Sequence, residues 1–549
     1  MKRKFLTLFI YVVLAFALTV FANASENIVK VGLYYNGSAL ESANLENKVG
    51  SGYLMGWFDE ATRDFVSIGR LDDTAITVMV KCGYHVQIED EFASFKEAKY
   101  VADQFRTGFV CYINNTYRVR VNTFSSKADA EVAAVTYTTY DWYDINGGVH
   151  PFVGFAASPS ATEVTVINTN SKKLLFEFDC SGAKSLGILP NEGQEGTLTW
   201  FKGYMRRGGF EYRRSTGGNI NVINVLRLED YVKGVVPYEA FPSWPLETLK
   251  AQAVCARTYV LTQTKHKSHK FDVCDNTHCQ RYCGTNEATA TTDQAVDETR
   301  GIVMTYDGKL ATPYYYSSNG GASESAENVW KEPLPYIVGK EDPYEETISI
   351  PGYTYSEVYT FEQLTQLLRN KGYDIGEVCV VYVSKTTPTG NVAEVTFADT
   401  TGKTVQIQGY SCSQLLSTSM FGQKKSIRSI RYVITGGETA NNYYVNDAST
   451  GVNTVSGLYT ISGNGTVESY TGGETYVITS SGTSLMEDKT QLEEGAGVTV
   501  TGKGSGHNIG MSQYGAKAMA LLGYTYEDIL NFYFTNISLE RIGIEIENP

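Results

Sequence analysis

Hydrophobic and polar positions alternate with the two-residue period of half-buried strands in "IVKVGLYY" (28–35), in "FVSIG" (65–69) and along the meander "NINVINVLRLEDYVKGVVPYE" (219–239). The period lengthens to a helical one after Pro245, where Leu246, Leu249, Ala253, Ala256 and Val260 recur on one face. Their mostly small side chains let other backbone approach closely, so this helix is predicted to be central and buried. A second strand-rich run covers 376–433, and two helices are predicted at the end. The first runs from Met511 to Leu522, stopped by Gly523; the second starts at Tyr526, capped by Thr525 with Asp528 three residues on, and ends near Phe534. An internal echo stands apart. Tyr84-His-Val-Gln-Ile followed by Phe92-Ala-Ser-Phe-Lys-Glu-Ala is answered by Tyr117-Arg-Val-Arg-Val and Phe124-Ser-Ser-Lys-Ala-Asp-Ala. Each half predicts a strand, a turn and an amphipathic helix, and together a small βαβ-βαβ sandwich. The expected fold class is α+β: mostly β, with a buried central helix and C-terminal helices, plus that sandwich.

The domain boundaries follow from these shifts of pattern. They give a β-rich segment at 25–75, the repeat module at 76–142, a β-rich connector at 143–195 and a large domain at 196–549. Between about 436 and 502 the chain is dense in Gly, Ser and Thr, and an inserted β-subdomain suits that stretch better than so long a loop. Residues 1–24 read as an export signal: basic residues at 2–4, an apolar run from Phe5 to Phe21, then Ala22-Asn23-Ala24. The chain is therefore expected to be exported, in the cell wall or outside it, and tethered to the membrane if the signal stays uncleaved.

Composition narrows the partners. A formal charge of −14 over 549 residues argues against nucleic acid, whose phosphates need a basic footprint. Sugars remain natural ligands for a chain with 39 tyrosines. Nine cysteines cannot all pair internally, and six of them are scattered singles best read as small buried hydrophobes. So many thiols outside the membrane suit an anaerobic setting, or a metal that occupies some of them.

Four stretches could carry chemistry. In the first, Glu239 lies between Pro237 and Pro242, on what reads as an irregular connection feeding the central helix. Tyr238, Phe241 and Trp244 flank it with partly apolar surroundings that favour the protonated form a general acid needs. The plain alternative is a solvated loop carboxylate. Glu229 and Asp230 are further carboxylates nearby, and Glu247, in a first helical turn, has the ordinary role of favouring the helix N-terminus. In the second, "HKSHKFDVCDNTHCQRYCG", His266, His269, Cys274, His278, Cys279 and Cys283 crowd together. Thiolates and imidazoles at this spacing suit tetrahedral zinc; a disulfide such as Cys274 to Cys283, or inert thiols, are the alternatives. The third is the polar turn Ser317-Ser318-Asn319-Gly-Gly after a tyrosine-rich strand, which a plain turn would also explain. In the fourth, "GKGSGHNIGMSQYGAKAMA", glycines 502, 504, 506 and 510 lead into a helix start whose N–H groups could bind an anion such as a substrate carboxylate. His507 there could brace the loop or carry a proton.

Taken in order, "EDYVKGVVPYEAFPSWPLETLKAQAVCARTYV", "CDNTHCQRYCG", "SSNGG" with its following Trp330, and "GSGHNIGMSQYGAKAMA" resemble the SpoIID/LytB family. The resemblance implies a lytic transglycosylase that acts on peptidoglycan glycan strands stripped of stem peptides, with Glu239 as catalytic acid. It implies zinc on Cys274, His278 and Cys279 with His269 as fourth ligand, bound to fix loop geometry. It places Tyr238, Ser317, Ser318, Asn319, Gly506, His507, Ser512 and Gln513 at the substrate. The sequence departs from the family's usual "GHGVGMSQ" at Asn508-Ile509. The echo at 84–130 resembles the SPOR module, which implies a second contact with glycan. Two other functions stay open: a non-catalytic LytB-type protein that stimulates a partner amidase, and a zinc amidase or peptidase that activates water.

Overall fold

The computed structural model describes residues 27–80, 83–181, 184–191, 196–214, 218–330, 332–436 and 497–542, and four short strands between 459 and 485. The export signal and most of the inserted segment lie outside the described residues. The chain is α+β with strands prevailing, and it divides into two units, 1–304 with 539–549, and 305–538. Among the described residues, no helix is long and apolar enough to cross a membrane.

The first unit holds two large sheets. A seven-stranded sheet runs in the order Val273–Cys274, Ile28–Tyr34, Ile220–Arg227, Gly209–Arg214, Leu186–Pro190, Tyr53–Phe58, Phe65–Leu71. The strand at 28–34, whose role the sequence leaves open, pairs antiparallel with 220–227 and parallel with 273–274, setting Gly32 opposite Cys274. A Cβ at Gly32 would fall 2.4 Å from the Phe271 ring, so only glycine admits this packing. Asp272 fastens the same edge, accepting from the Lys30 N–H at 2.9 Å and from both Arg63 terminal nitrogens at 2.6 and 2.8 Å.

The echoed segments fall in a ten-stranded sheet. Strands Tyr84–Ile88, Gly108–Ile113, Thr116–Phe124 and Gly154–Ala157, with helices Phe95–Ala102 and Lys127–Tyr137, follow the order β-α-β-β-α-β, the outer strand 154–157 lying beside 84–88. The last of these strands lies beyond residue 142, in the expected connector. Ala75–Met79, expected to open the module, instead joins 42–49 to 163–168.

Strand 220–227 runs directly into the helix Leu228–Glu239, and the central helix Leu246–Thr262 follows. The central helix is buried from Thr248 to Val260 except at Lys250, as its small apolar face leads one to expect. An ion pair is enclosed with it. Arg257, with no exposure, makes a two-pronged ion pair with Glu229 of the preceding helix at 2.8 and 2.7 Å and reaches the Ile302 carbonyl at 3.1 Å. Arg257→Met strands the Glu229 carboxylate in the core, a loss of about 3–5 kcal/mol. Denaturant titration of this variant, against one that also carries Glu229→Met, is expected to show most of the loss restored in the pair.

The second unit has a sheet of Thr354–Thr360, Gly497–Lys503 and Tyr432–Thr435, and another of Val378–Thr386, Val392–Asp399 and Thr404–Gln408. Helices Phe361–Asn370 and Gly409–Leu416 bury Leu364, Leu368, Cys412 and Leu416 with Val395, Phe397 and Val500. Strand 497–503 thus belongs to this unit's own sheet, although the inserted segment was expected to reach 502. The expected helix from Met511 begins two residues later, because Met511 and Ser512 pair as a strand with Tyr315 and Tyr316. The last helix, Tyr526–Tyr533, carries the capping box expected of Thr525 and Asp528.

Candidate functional site

Glu239 is the final residue of the helix that starts at Leu228, a correction to the irregular connection expected from its flanking prolines. Pro237 sits in the last turn, and the chain leaves the helix at Ala240 with extended backbone. The Glu239 carboxylate is half-buried, and its Oε1 accepts the Arg281 backbone N–H at 2.6 Å. Tyr238 beside it lies under the Arg281 guanidinium, 5.8 Å from the ring centre. Two residues on, Phe241 leans on Trp244 at 5.4 Å, with Trp244 buried and Phe241 60% exposed.

Arg281 arrives on a loop that the cysteine and histidine cluster holds. Ligand atoms of His266, Cys274, His278 and Cys279 all lie within 4.8 Å of one another. His266 Nε2 is 3.3 Å from Cys279 Sγ, and His278 Nδ1 is 3.6 Å from both sulfurs. Two thiols and two imidazoles converging in this way match the donor set and number of a closed tetrahedral zinc site. Hydrogen bonds, chiefly from the Cys279 thiol and then from His278, pull the Cys274 thiol well below its ordinary value. His269, expected as the fourth ligand, is outside the group: its Nε2 meets Asn36 Nδ2 at 2.9 Å. The 3-10 turn 267–269 and the left-handed Lys270 (φ 64°) carry it away, and they leave His266 facing the sulfurs. Cys283 is also outside, and the described cysteines are all free thiols, which removes the Cys274 to Cys283 disulfide.

The second unit gathers the other expected residues, and most prove to be interior. Ser318, Asn319, Ser512 and Gln513 are buried. Asn319 and Gly320 N–H groups donate to the two oxygens of Glu345 at 2.6 and 2.9 Å, and the Ser512 hydroxyl bonds the same carboxylate. Asn319 Nδ2 reaches Asp342 Oδ2 at 2.7 Å, an oxygen that Tyr533 also bonds at 2.6 Å. The Ser317 carbonyl accepts the Tyr514 N–H at 3.0 Å. The glycine loop keeps its donors at home as well. N–H groups of Gly504, Ser505, Gly506 and Met511 go to the carbonyls of Tyr353, Ser318, Arg428 and Tyr314. Those groups are therefore not available to a substrate carboxylate as expected. His507 accepts the Ile509 N–H on Nδ1 at 3.0 Å and packs against Trp330 and Tyr316; enclosure lowers it to about 4, so near neutrality it is uncharged and braces the loop. Asn508, the departure from the usual motif, adopts φ 64° and donates to the carbonyls of Asn319 and Ala322 at 2.8 and 3.1 Å, tying the two loops together.

Glu345 itself has no motif in the sequence. Burial raises its carboxyl to about 7 despite its three donors. The group's protonated form is favoured in the fold, so the stability it adds is full below about 4.5, its ordinary value, and is lost as pH rises through about 7. Thermal melts are expected to show a Tm that falls over this interval, and Glu345→Gln should flatten the slope.

Residues 216–306, which contain Glu239 and the whole cluster, match a family model described as stage II sporulation protein. The chain is 32% identical over 314 residues to the amidase enhancer of Bacillus subtilis (strain 168), covering 56% of this chain and 40% of that protein. It is 25% identical over 331 residues to stage II sporulation protein D of the same organism, covering 57% and 74%, and 24% identical over 347 residues to that of Bacillus amyloliquefaciens, covering 60% and 78%. The match thus spans less than half of the amidase enhancer's length.

Proposed function

From the premise that this chain carries a domain of the SpoIID/LytB family, we propose that it is a cell-wall lytic transglycosylase. It cleaves the bond between N-acetylmuramic acid and N-acetylglucosamine in glycan strands, preferably those without stem peptides. The observation that carries this reading is a half-buried carboxylate, Glu239, with one oxygen fixed by the Arg281 N–H. A hydrolase that follows the usual scheme needs two carboxyl groups flanking the bond. A transglycosylase needs one, because its nucleophile is the substrate's own C6 hydroxyl. Glu239 gives its proton to the leaving glycosidic oxygen as the C1–O4 bond breaks. The C6 oxygen closes on C1, and the Glu239 carboxylate takes the hydroxyl proton, which restores the acid without consuming water. Phe241, exposed and steadied by Trp244, and Tyr238 offer rings for the apolar faces of the sugars.

Zinc is proposed on His266, Cys274, His278 and Cys279, where it would hold the loop that bears Arg281; four protein ligands leave no open position for activating water. This arrangement disfavours the zinc hydrolase. The module at 84–157 is proposed to add a glycan contact of the SPOR kind, and an exported, wall-bound location fits both.

The second reading, a non-catalytic stimulator of a partner amidase, is favoured by the similarity to the amidase enhancer. Purified protein incubated with denuded strands and with intact sacculi separates the two. Fragment release from denuded strands without any added enzyme supports the transglycosylase. Binding without release, and acceleration of an added amidase on sacculi, would replace it with the stimulator.

A further inference from the structure

The Arg281 N–H can reach Glu239 only if the loop from Cys279 to Cys283 lies against the helix that ends in Glu239. Several contacts press it there. Tyr231, buried on that helix, donates its hydroxyl to Gln280 Oε1 at 2.9 Å, and Gln280 is itself 1% exposed. Tyr282 stacks on Tyr231 at 5.3 Å, bonds Asn224 Oδ1 through its hydroxyl at 2.6 Å, and lies over Gly234, where a Cβ would fall 2.4 Å from the ring. The Cys283 N–H meets the Gly234 carbonyl at 3.4 Å. Of these ties, the one between Tyr231 and Gln280 is a side-chain bond made by the residue immediately before Arg281. A buried amide bonded to a buried phenol fixes both position and rotation of the peptide that follows, because neither partner has water to turn to.

We infer that Tyr231 and Gln280 are positioning residues for Glu239, acting through the Arg281 peptide by aiming its N–H at the carboxylate. This rests on the reading of Glu239 as the acid, but its physical content, an N–H held on a carboxylate, is measurable without turnover. The titratable side chains grouped around this corner include Tyr231 and Tyr238 on the Glu239 helix, Cys279, Tyr282 and Cys283 on the loop, Tyr259 on the central helix and Glu287 beyond. Tyr231→Phe and Gln280→Leu leave the remaining groups in place.

The experiment is site-resolved carbodiimide labelling of Glu239 across the carboxylate range, read by peptide mass spectrometry on the full chain, with zinc content measured alongside. An N–H donated to a carboxylate favours its charged form, so loss of aim raises the labelling midpoint. The expected rise is about one pH unit in Gln280→Leu, the same in Tyr231→Phe, and no greater in the double variant, with zinc unchanged. Tyr231→Phe removes a single hydroxyl and serves if Gln280→Leu does not fold. Unchanged midpoints in the variants, or shifts that appear only with loss of zinc, overturn the inference. If the wild type releases no glycan fragments while the midpoints shift as expected, the transglycosylase reading fails and the positioning role stands.

Discussion

Glu239→Gln is expected to lower fragment release from denuded glycan strands by at least about a thousandfold, with glycan binding and Tm close to wild type. The amide keeps the shape of the carboxyl and can still accept the Arg281 N–H, so the fold around it has little to lose. It can neither give nor take the proton, and with no second carboxylate assigned to the reaction nothing compensates. A lost acid that also serves as base forfeits its contribution at both ends of the step, each typically worth a hundredfold or more. A fall of only a few-fold would assign the proton work elsewhere.

Removing the proposed zinc is expected to have the second largest effect. Held on the proposed zinc, the side chains at 266, 274, 278 and 279 would bind together a turn, the edge of the seven-stranded sheet and the loop that carries Arg281. Without an ion, two cysteines and two histidines share one small volume, and the loop has fewer ties to the sheet. Chelation, or Cys274→Ser, should lower the Tm by about 5–10 °C, the scale of a few kcal/mol in a unit of this size. Activity should fall with it, and zinc added back should restore the chelated wild type but not the variant. His269→Ala should leave zinc content unchanged, whereas His266→Ala should reduce it. The reverse pattern would restore His269 as the ligand.

That last pair marks how far the residues alone could be read. The crowding of cysteine and histidine between 266 and 283 was visible because scattered core thiols do not cluster so. Which histidine faces the sulfurs was not, since it depends on one 3-10 turn and a left-handed lysine that no periodicity reports. Glu239 stood out by its flanking aromatics and prolines, yet Pro237 suggested a break in the chain where the helix runs on to Glu239. The buried central helix followed directly from its small apolar face. The loops at 317–321 and 504–512 looked like a binding surface because polar residues and glycines suit ligands. They suit a buried carboxylate equally well, and Glu345, a plain residue in "YEET", claims two of the N–H groups and the Ser512 hydroxyl. The strand at 28–34 had no readable role because its partners lie far along the chain, at 220–227 and 273–274.

The most direct test of the central claim is the chemistry of the new chain ends, read by mass spectrometry after the full protein digests denuded strands in heavy-oxygen water. Intramolecular closure predicts 1,6-anhydro-muramyl ends that carry no solvent oxygen, absent with Glu239→Gln. Reducing ends bearing heavy oxygen would show hydrolysis, and the single-carboxylate account would be wrong.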